Sequence, residues 1–233
     1  MNGVEYYRYL FFNRYVSSNN DMCNDDQSIF LQTKEFVVLF NSQPKSKLHL
    51  LLLPRTSFLH VKNSQELSPN HFEKLKRLHS AANIIVDFIL RHTISSNDLL
   101  RSVGSNSIDA LVSKLSLPTY ETDNLQVSPR ILMGYHSRPS FEPLHMHILT
   151  DDFDSIWLKT RRQWNTFNTA YFLDCASIEE WLTSGYTIGD LLPEDLQEFE
   201  IYLMQTIRCS HCRKALKDIR ALKAHLKTFH QEL

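Results

Sequence analysis

His145 and His147 stand two residues apart in Leu144-His-Met-His-Ile-Leu, and His136 lies nine residues before the first of them. On an extended strand, residues i and i+2 share a face. The two imidazoles would then sit side by side, while Leu144, Met146 and Ile148 turn the other way into a core. His136 closes the preceding apolar run and reaches the same pocket if the two strands pair. A neutral imidazole is a competent nucleophile near neutral pH, because its ordinary pKa is about 6.5. Attack on phosphorus yields a phosphoramidate that water later cleaves. A second imidazole can pass a proton to the leaving oxygen, and amides or lysines can hold the phosphoryl oxygens. That chemistry needs no metal. The spacing alone leaves three readings open: a structural histidine pair, a zinc site of the same geometry, or covalent catalysis.

A second constellation is spaced for metal. Cys209, Cys212, His225 and His230 follow the C-x2-C-x12-H-x4-H pattern of a two-cysteine, two-histidine zinc finger. Ile207, Leu216 and Leu222 fall at the apolar positions of such a unit. A unit this small buries too little apolar surface alone, so the metal would supply its folding energy. His211 is the substitute ligand for His230, though its place between the cysteines turns it away. From residue 205 onward, seven Lys and Arg face two carboxylates, five net positive charges in a chain of net charge −1. Such segregation favours phosphate contacts. A single finger reads few bases, so the expectation is structure-directed binding. A protein-binding finger or a solvated basic helix is the alternative.

The elements that must position these groups follow from periodicity. Ile29–Leu31, Phe36–Phe40, Leu48–Leu53, Ile131–Tyr135 and Leu144–Leu149 read as strands. Ser68 and Pro69 start a long helix, with Phe72, Leu75, Leu78, Ala82, Ile85 and Ile89 at helical spacing. Tyr7, Phe11 and Tyr15 fit one face of a short N-terminal helix. Residues 93–128 read as a Ser- and Asn-rich insertion with one small helix. Residues 175–204 read as a linker with some helix.

The 233 residues, 42% apolar and 22% charged, suit one moderate domain with a small appendage. No apolar run is long enough for a membrane span and no secretory signal is visible. The chain is therefore expected to be intracellular. Its four cysteines then argue against a disulfide framework, with Cys23 and Cys175 as isolated thiols.

The stretch Leu144-His-Met-His-Ile-Leu resembles the histidine-triad superfamily, as does Val37-Val-Leu-Phe-Asn-Ser-Gln-Pro-Lys-Ser-Lys-Leu-His-Leu-Leu-Leu-Leu-Pro. The downstream Asp152-Phe-Asp-Ser-Ile-Trp-Leu-Lys-Thr-Arg-Arg-Gln-Trp-Asn-Thr-Phe-Asn-Thr-Ala-Tyr-Phe-Leu is similar to the aprataxin family within it. The terminal finger agrees, and the likeness covers roughly residues 5–60, 130–174 and 205–233.

The resemblance implies an α+β histidine-triad fold, an antiparallel sheet flanked by helices, with a small ββα-like zinc finger. It implies a catalytic domain over 1–180, a linker over 181–204 and a finger over 205–233. By the same resemblance His145 is the nucleophile that becomes adenylated, His147 its phosphate-side partner, and His136 the group that assists the leaving group. Ser140 falls at a phosphate-contacting serine and Asn41 at a ribose-binding position. Lys62 and Lys159 match lysines near DNA phosphates. Tyr7, with Tyr6 and Tyr9 as alternatives, matches an aromatic that stacks on a terminal base pair, a contact worth roughly 1–3 kcal/mol. Pro143 stands where the general triad has its first histidine, and Gln163 where many relatives have a histidine. With only about 30 residues before the core, no forkhead-associated module is expected.

The implied function is removal of AMP from 5′-adenylated DNA through an adenylyl-histidine, in a nuclear, also cytoplasmic, monomer that binds DNA and releases AMP. A hydrolase of small adenylates and a non-catalytic nucleic-acid-end binder are the rivals.

Overall fold

The computed structural model describes residues 12, 14–17, 28–91 and 130–230. Tyr6, Tyr7 and Tyr9, Cys23 and the 93–128 insertion lie outside the described residues. Among the described residues six strands form one antiparallel sheet: β1 (Ile29–Gln32), β2 (Phe36–Phe40), β3 (His49–Pro54), β4 (Ile131–His136), β5 (Met146–Thr150) and β6 (Phe172–Asp174). Their order is β1-β2-β3-β5-β4-β6. The β1–β2 turn closes on Thr33, whose hydroxyl accepts from the amides of Glu35 and Phe36. The long helix begins as expected at Ser68 and Pro69, but its first turn, Pro69–His71, is a 3-10 turn before α1 (Phe72–Arg91).

Strand alternation sorts the sheet into two faces. On one, Leu50, Leu52, Tyr135, Met146 and Ile148 pack against Leu75, Leu78, Ala82 and Ile85 of α1. Ile178 and Leu182 of a later helix join that core. The expectation that Leu144, Met146 and Ile148 face the interior agrees with this cluster. His79 of α1 is buried behind β4, its Nδ1 2.5 Å from Glu179 Oε1 and its Nε2 3.1 Å from the Tyr135 hydroxyl. A buried polar group without partners would be costly; here each ring nitrogen has one.

The other face carries two separate apolar clusters. Tyr15 and Val16, in a helical turn at 14–17, cover Val37, Leu39, Leu51 and Leu53. At the far side, Leu149, Phe153, Leu158, Trp164 and Phe167 pack with Ile207, Cys209, Ile219, Leu222 and Leu226. The C-terminal segment is therefore fused to the sheet through a shared core. Its own architecture is a bridge between Arg208 and Ala215 followed by a helix, in keeping with the ββα-like reading.

Among the described residues the remaining α-helices are α2 (Arg161–Asn168), α3 (Cys175–Thr183), α4 (Leu196–Met204) and α5 (Ile219–Phe229). Thr160 caps α2 reciprocally with Gln163, which satisfies donors that a helix start otherwise leaves unpaired. Trp164 Nε1 donates to Arg208 O at 3.1 Å, tying α2 to the C-terminal segment. Residues 175–204, expected as a partly helical linker, hold α3, a short turn at Ile188–Leu191 and α4.

Candidate active site and metal centre

Register places the imidazoles. Leu51 of β3 and Gly134 of β4 are the direct partners of His147 on β5. Direct partners share a face, and so do residues two apart along a strand. His49 and His136 therefore project on the same side as His147, in the gap between the two apolar clusters. The rings of His136 and His147 are centred 4.2 Å apart, those of His145 and His147 5.1 Å, and those of His49 and His147 5.2 Å. They line a cavity of about 700 Å³ together with Asn41, Ser140 and Lys45.

Hydrogen bonding decides which ring nitrogen is available. His145 Nδ1 lies 2.9 Å from the Pro143 carbonyl. A carbonyl only accepts, so Nδ1 carries the proton and Nε2 keeps the lone pair. The backbone of Pro143 thus orients His145 at the position where the general triad has a histidine. A second chain starts at the Lys45 amide, which donates to His49 Nδ1 at 3.0 Å. Neutral His49 then carries its proton on Nε2, 3.0 Å from His147 Nδ1. His147 must accept there, which leaves an N–H on its Nε2. That Nε2 and the Nε2 of His136 are buried without a partner. Buried polar atoms beside a cavity call for a ligand with polar atoms of its own. Asn41 Nδ2, 3.2 Å from the protonated His49 nitrogen, cannot donate to it, so its hydrogens stay available to a ligand.

All four rings are held neutral. Burial pushes His145 down to about 4, against a smaller upward pull from the Pro143 carbonyl. Burial, then the Lys45 charge and His145, lowers His49 to about 3. His136 and His147 fall well below the usual range, chiefly by burial and then by neighbouring imidazoles and Lys45. A neutral imidazole with an exposed lone pair is a nucleophile; a neutral imidazole with an outward N–H is a donor to an oxyanion.

The structure brings together His136, His145, His147, Asn41 and Ser140. Lys159 is exposed, with its ammonium 5.0 Å over the Trp157 ring, outside the cavity lining. Lys62 lines a separate depression with His60 and Glu142. Tyr7 is outside the described residues. Sequence reasoning missed His49 and Lys45 as site residues. Both stand in the Pro-Lys-Ser-Lys-Leu-His run; the signal was a lone histidine in a strand of leucines, legible only once β3 is paired with β5. It also missed Phe141, whose ring stacks on His145 at 4.2 Å and 6°, with Phe12 stacked on Phe141 at 4.3 Å.

At the other end, Cys209, Cys212, His225 and His230 could hold a metal ion, since their donor atoms all lie within 4.8 Å of one another. Cys212 Sγ is 3.2 Å from His225 Nε2. His230 Nε2 is buried and unpartnered, as a ligand nitrogen would be before binding. His211 stacks on His230 at 4.7 Å and is not in the donor set. Two sulfurs and two imidazoles suit zinc or another borderline-soft ion.

Residues 17–163 match the family model described as "Scavenger mRNA decapping enzyme C-term binding". Among curated relatives, the aprataxin of Gallus gallus is 30% identical over 193 residues, 82% of this chain and 47% of that protein. The aprataxin of Ciona intestinalis is 26% identical, over 87% of this chain and 42% of its own length. The chain thus spans less than half of those relatives. An aprataxin-like protein of Saccharomyces cerevisiae is 29% identical over 95% of this chain and 94% of its own. Among solved structures, "aprataxin ortholog Hnt3 in complex with DNA" shares the fold with a TM-score of 0.53, at 21% identity, over 95% of this chain and 93% of that one. The chain belongs to the family of the scavenger mRNA decapping enzyme C-terminal binding domain, with the histidine-triad fold, and aprataxins are among the proteins it is similar to.

Proposed function

We propose that this protein is a DNA-repair hydrolase that removes AMP from 5′-adenylated DNA through an adenylyl intermediate on His145. The observation that carries the reading is the neutral imidazole cluster: a lone pair on His145 Nε2 beside the outward N–H of His147, in a nucleotide-sized cavity. The DNA-bound relative of the same fold supports the choice of substrate.

In this mechanism His145 Nε2 adds to the adenylate phosphorus. The bond from phosphorus to the bridging oxygen breaks, and its electron pair leaves with the DNA 5′-phosphate. A phosphate monoester has a second pKa near 6, so it departs as an anion without needing a full proton transfer. His136 stays neutral and accompanies the leaving oxygen. The His147 N–H and the Lys45 side chain bind the phosphoryl oxygens as charge builds on them. Nδ1 of His145 keeps its proton on the Pro143 carbonyl, which stabilises the charge that Nε2 gains on bonding. Water then attacks phosphorus, a neighbouring imidazole takes its proton, and the N–P bond breaks to release AMP. Asn41 serves the ribose and Ser140 the phosphate. Lys62 and Lys159, outside the cavity, serve the DNA strand, and Tyr7 the terminal base pair.

Zinc on Cys209, Cys212, His225 and His230 would stabilise the finger, and no step of the reaction runs through it. The exposed finger cations Arg220 and Lys227 bind phosphates. The site of action is nuclear, where the substrate arises.

The test is incubation of the full chain with 5′-adenylated nicked duplex, scoring 5′-phosphate DNA and AMP. His145→Ala is expected to bind that duplex and fail to turn it over, and denatured wild-type protein from a quenched reaction is expected to carry one AMP. Turnover retained by His145→Ala refutes the nucleophile. Faster turnover of a small adenylate than of nicked DNA refutes the substrate.

A further inference from the structure

We infer that Trp157 and Ile156 form a base-stacking platform for a DNA strand running between the cavity and the finger. The inference rests on the DNA-directed reading above and names a contact that reading does not include.

The segment following β5 is anchored twice. Phe153 and Leu158 are both 1% exposed and belong to the core shared with the finger. Between these anchors Ile156 is 80% and Trp157 37% exposed. Being consecutive, the two side chains offer one outward apolar surface on a short loop, which a partner can cover. The loop that presents them is not slack. Phe153 takes φ +48°, a left-handed conformation that a bulky residue holds only where its surroundings over-determine it. Asp152 Oδ1 accepts from the amides of Lys47 and Asp154 at 3.0 and 2.8 Å. Ser155 Oγ donates to the Pro44 carbonyl at 2.6 Å and accepts from the Trp157 amide at 3.1 Å.

These bonds also fix where the platform lies. Pro44 sits in the turn that carries Asn41, Gln43 and Lys45 into the cavity lining. From the opposite side, Lys223 of α5 donates to the Ser155 carbonyl at 2.6 Å. The loop therefore joins the cavity edge to the finger helix. The chemistry of its surface selects the occupant. The Lys159 ammonium lies 5.0 Å over the Trp157 ring, and Arg161 is exposed two residues further on. A half-exposed aromatic ring with a cation over one face leaves its other face to a nucleobase and its cation to the neighbouring phosphate, because every base has a π face and every linkage an anion. A purely apolar partner would leave those cations desolvated and unpaired.

The test uses the full chain and two non-adenylated probes of equal length and charge. One is a duplex with a short single-stranded extension bearing bases, and the other carries abasic sugar-phosphate in the extension. Wild type is expected to bind the first about tenfold tighter than the second, with tryptophan fluorescence quenched on the first alone. Trp157→Ala should abolish the preference and the quenching, and Trp157→Phe should retain much of the preference. Equal loss by Trp157→Ala on both probes, or an unchanged preference, overturns the platform. A change in sedimentation of Trp157→Ala with unchanged DNA binding overturns it in favour of a protein partner or second copy. The two readings fail separately: a base preference lost in Trp157→Ala while wild type releases no AMP sinks only the deadenylase. Normal AMP release with a preference indifferent to residue 157 sinks only the platform.

Discussion

Gly134→Ala puts a methyl group where the sheet has no room for one. A Cβ there would lie 2.3 Å from the Leu173 carbonyl oxygen and 2.8 Å from Phe172 Cζ. Carbon–oxygen contacts ordinarily close to 3.3 Å or more, so β4 and β6 must part by roughly 1 Å. The obstructing oxygen is backbone, and no side-chain rotation relieves it. Gly134 faces Asp174 on β6 and His147 on β5, and His136 is two residues along. The displacement is therefore delivered to two of the four imidazoles. Overpacking of this kind costs about 1–3 kcal/mol, which for a chain of this size lowers Tm by about 2–12 °C. A misplacement near 1 Å at reacting groups can cost on the order of 10²-fold in rate. Calorimetry would read the first effect and single-turnover AMP release from adenylated nicked duplex the second. A Tm within about 1 °C of wild type would refute the steric argument. A lowered Tm with an unchanged rate would refute the claim that β4 and β5 hold the imidazoles in place.

Acidification should destabilise the fold in a defined window. His145 and His49 have folded pKa values of about 4 and about 3, below the 6.5 of an unfolded histidine, so the unfolded chain binds more protons. Their stabilisation is present above pH 6.5 and is lost as pH falls towards 4, at up to about 1.4 kcal/mol per pH unit for each. Urea midpoints measured between pH 7.5 and 4.5 should fall accordingly, less steeply in His49→Phe; a flat profile would count against buried neutral imidazoles. Metal removal should reach the sheet as well as the finger. Chelation or Cys212→Ser is expected to loosen Ile207, Leu222 and Leu226 from Leu149, Phe153 and Trp164. Three large apolar side chains at about 1.5–3 kcal/mol each make a loss on the order of 5 kcal/mol. Thermal unfolding should shift as one cooperative transition, and a finger melting alone above an unaltered core would contradict the shared cluster.

Much of this protein is legible without coordinates, for local reasons. Alternation along Leu144–Leu149 assigns imidazoles and apolar side chains to opposite faces, since a strand has a period of two residues. Cysteine and histidine spacing marks the four residues that could hold a metal ion, because four donors must meet at one ion. Ser68 and Pro69 mark the helix start by capping chemistry. What tertiary structure decides is register and adjacency. Only the pairing of Leu51 with His147 makes His49 the fourth ring and the source of the His147 tautomer. Only chain path brings the Pro143 carbonyl to His145, and a backbone group leaves no mark in residue type. The finger's core residues were identifiable, yet the residues they also cover, Leu149 of the sheet and Trp164 of α2, lie roughly 40 to 80 positions earlier. Apolar periodicity says that a face is buried and does not say against what, because the hydrophobic effect has magnitude and no direction.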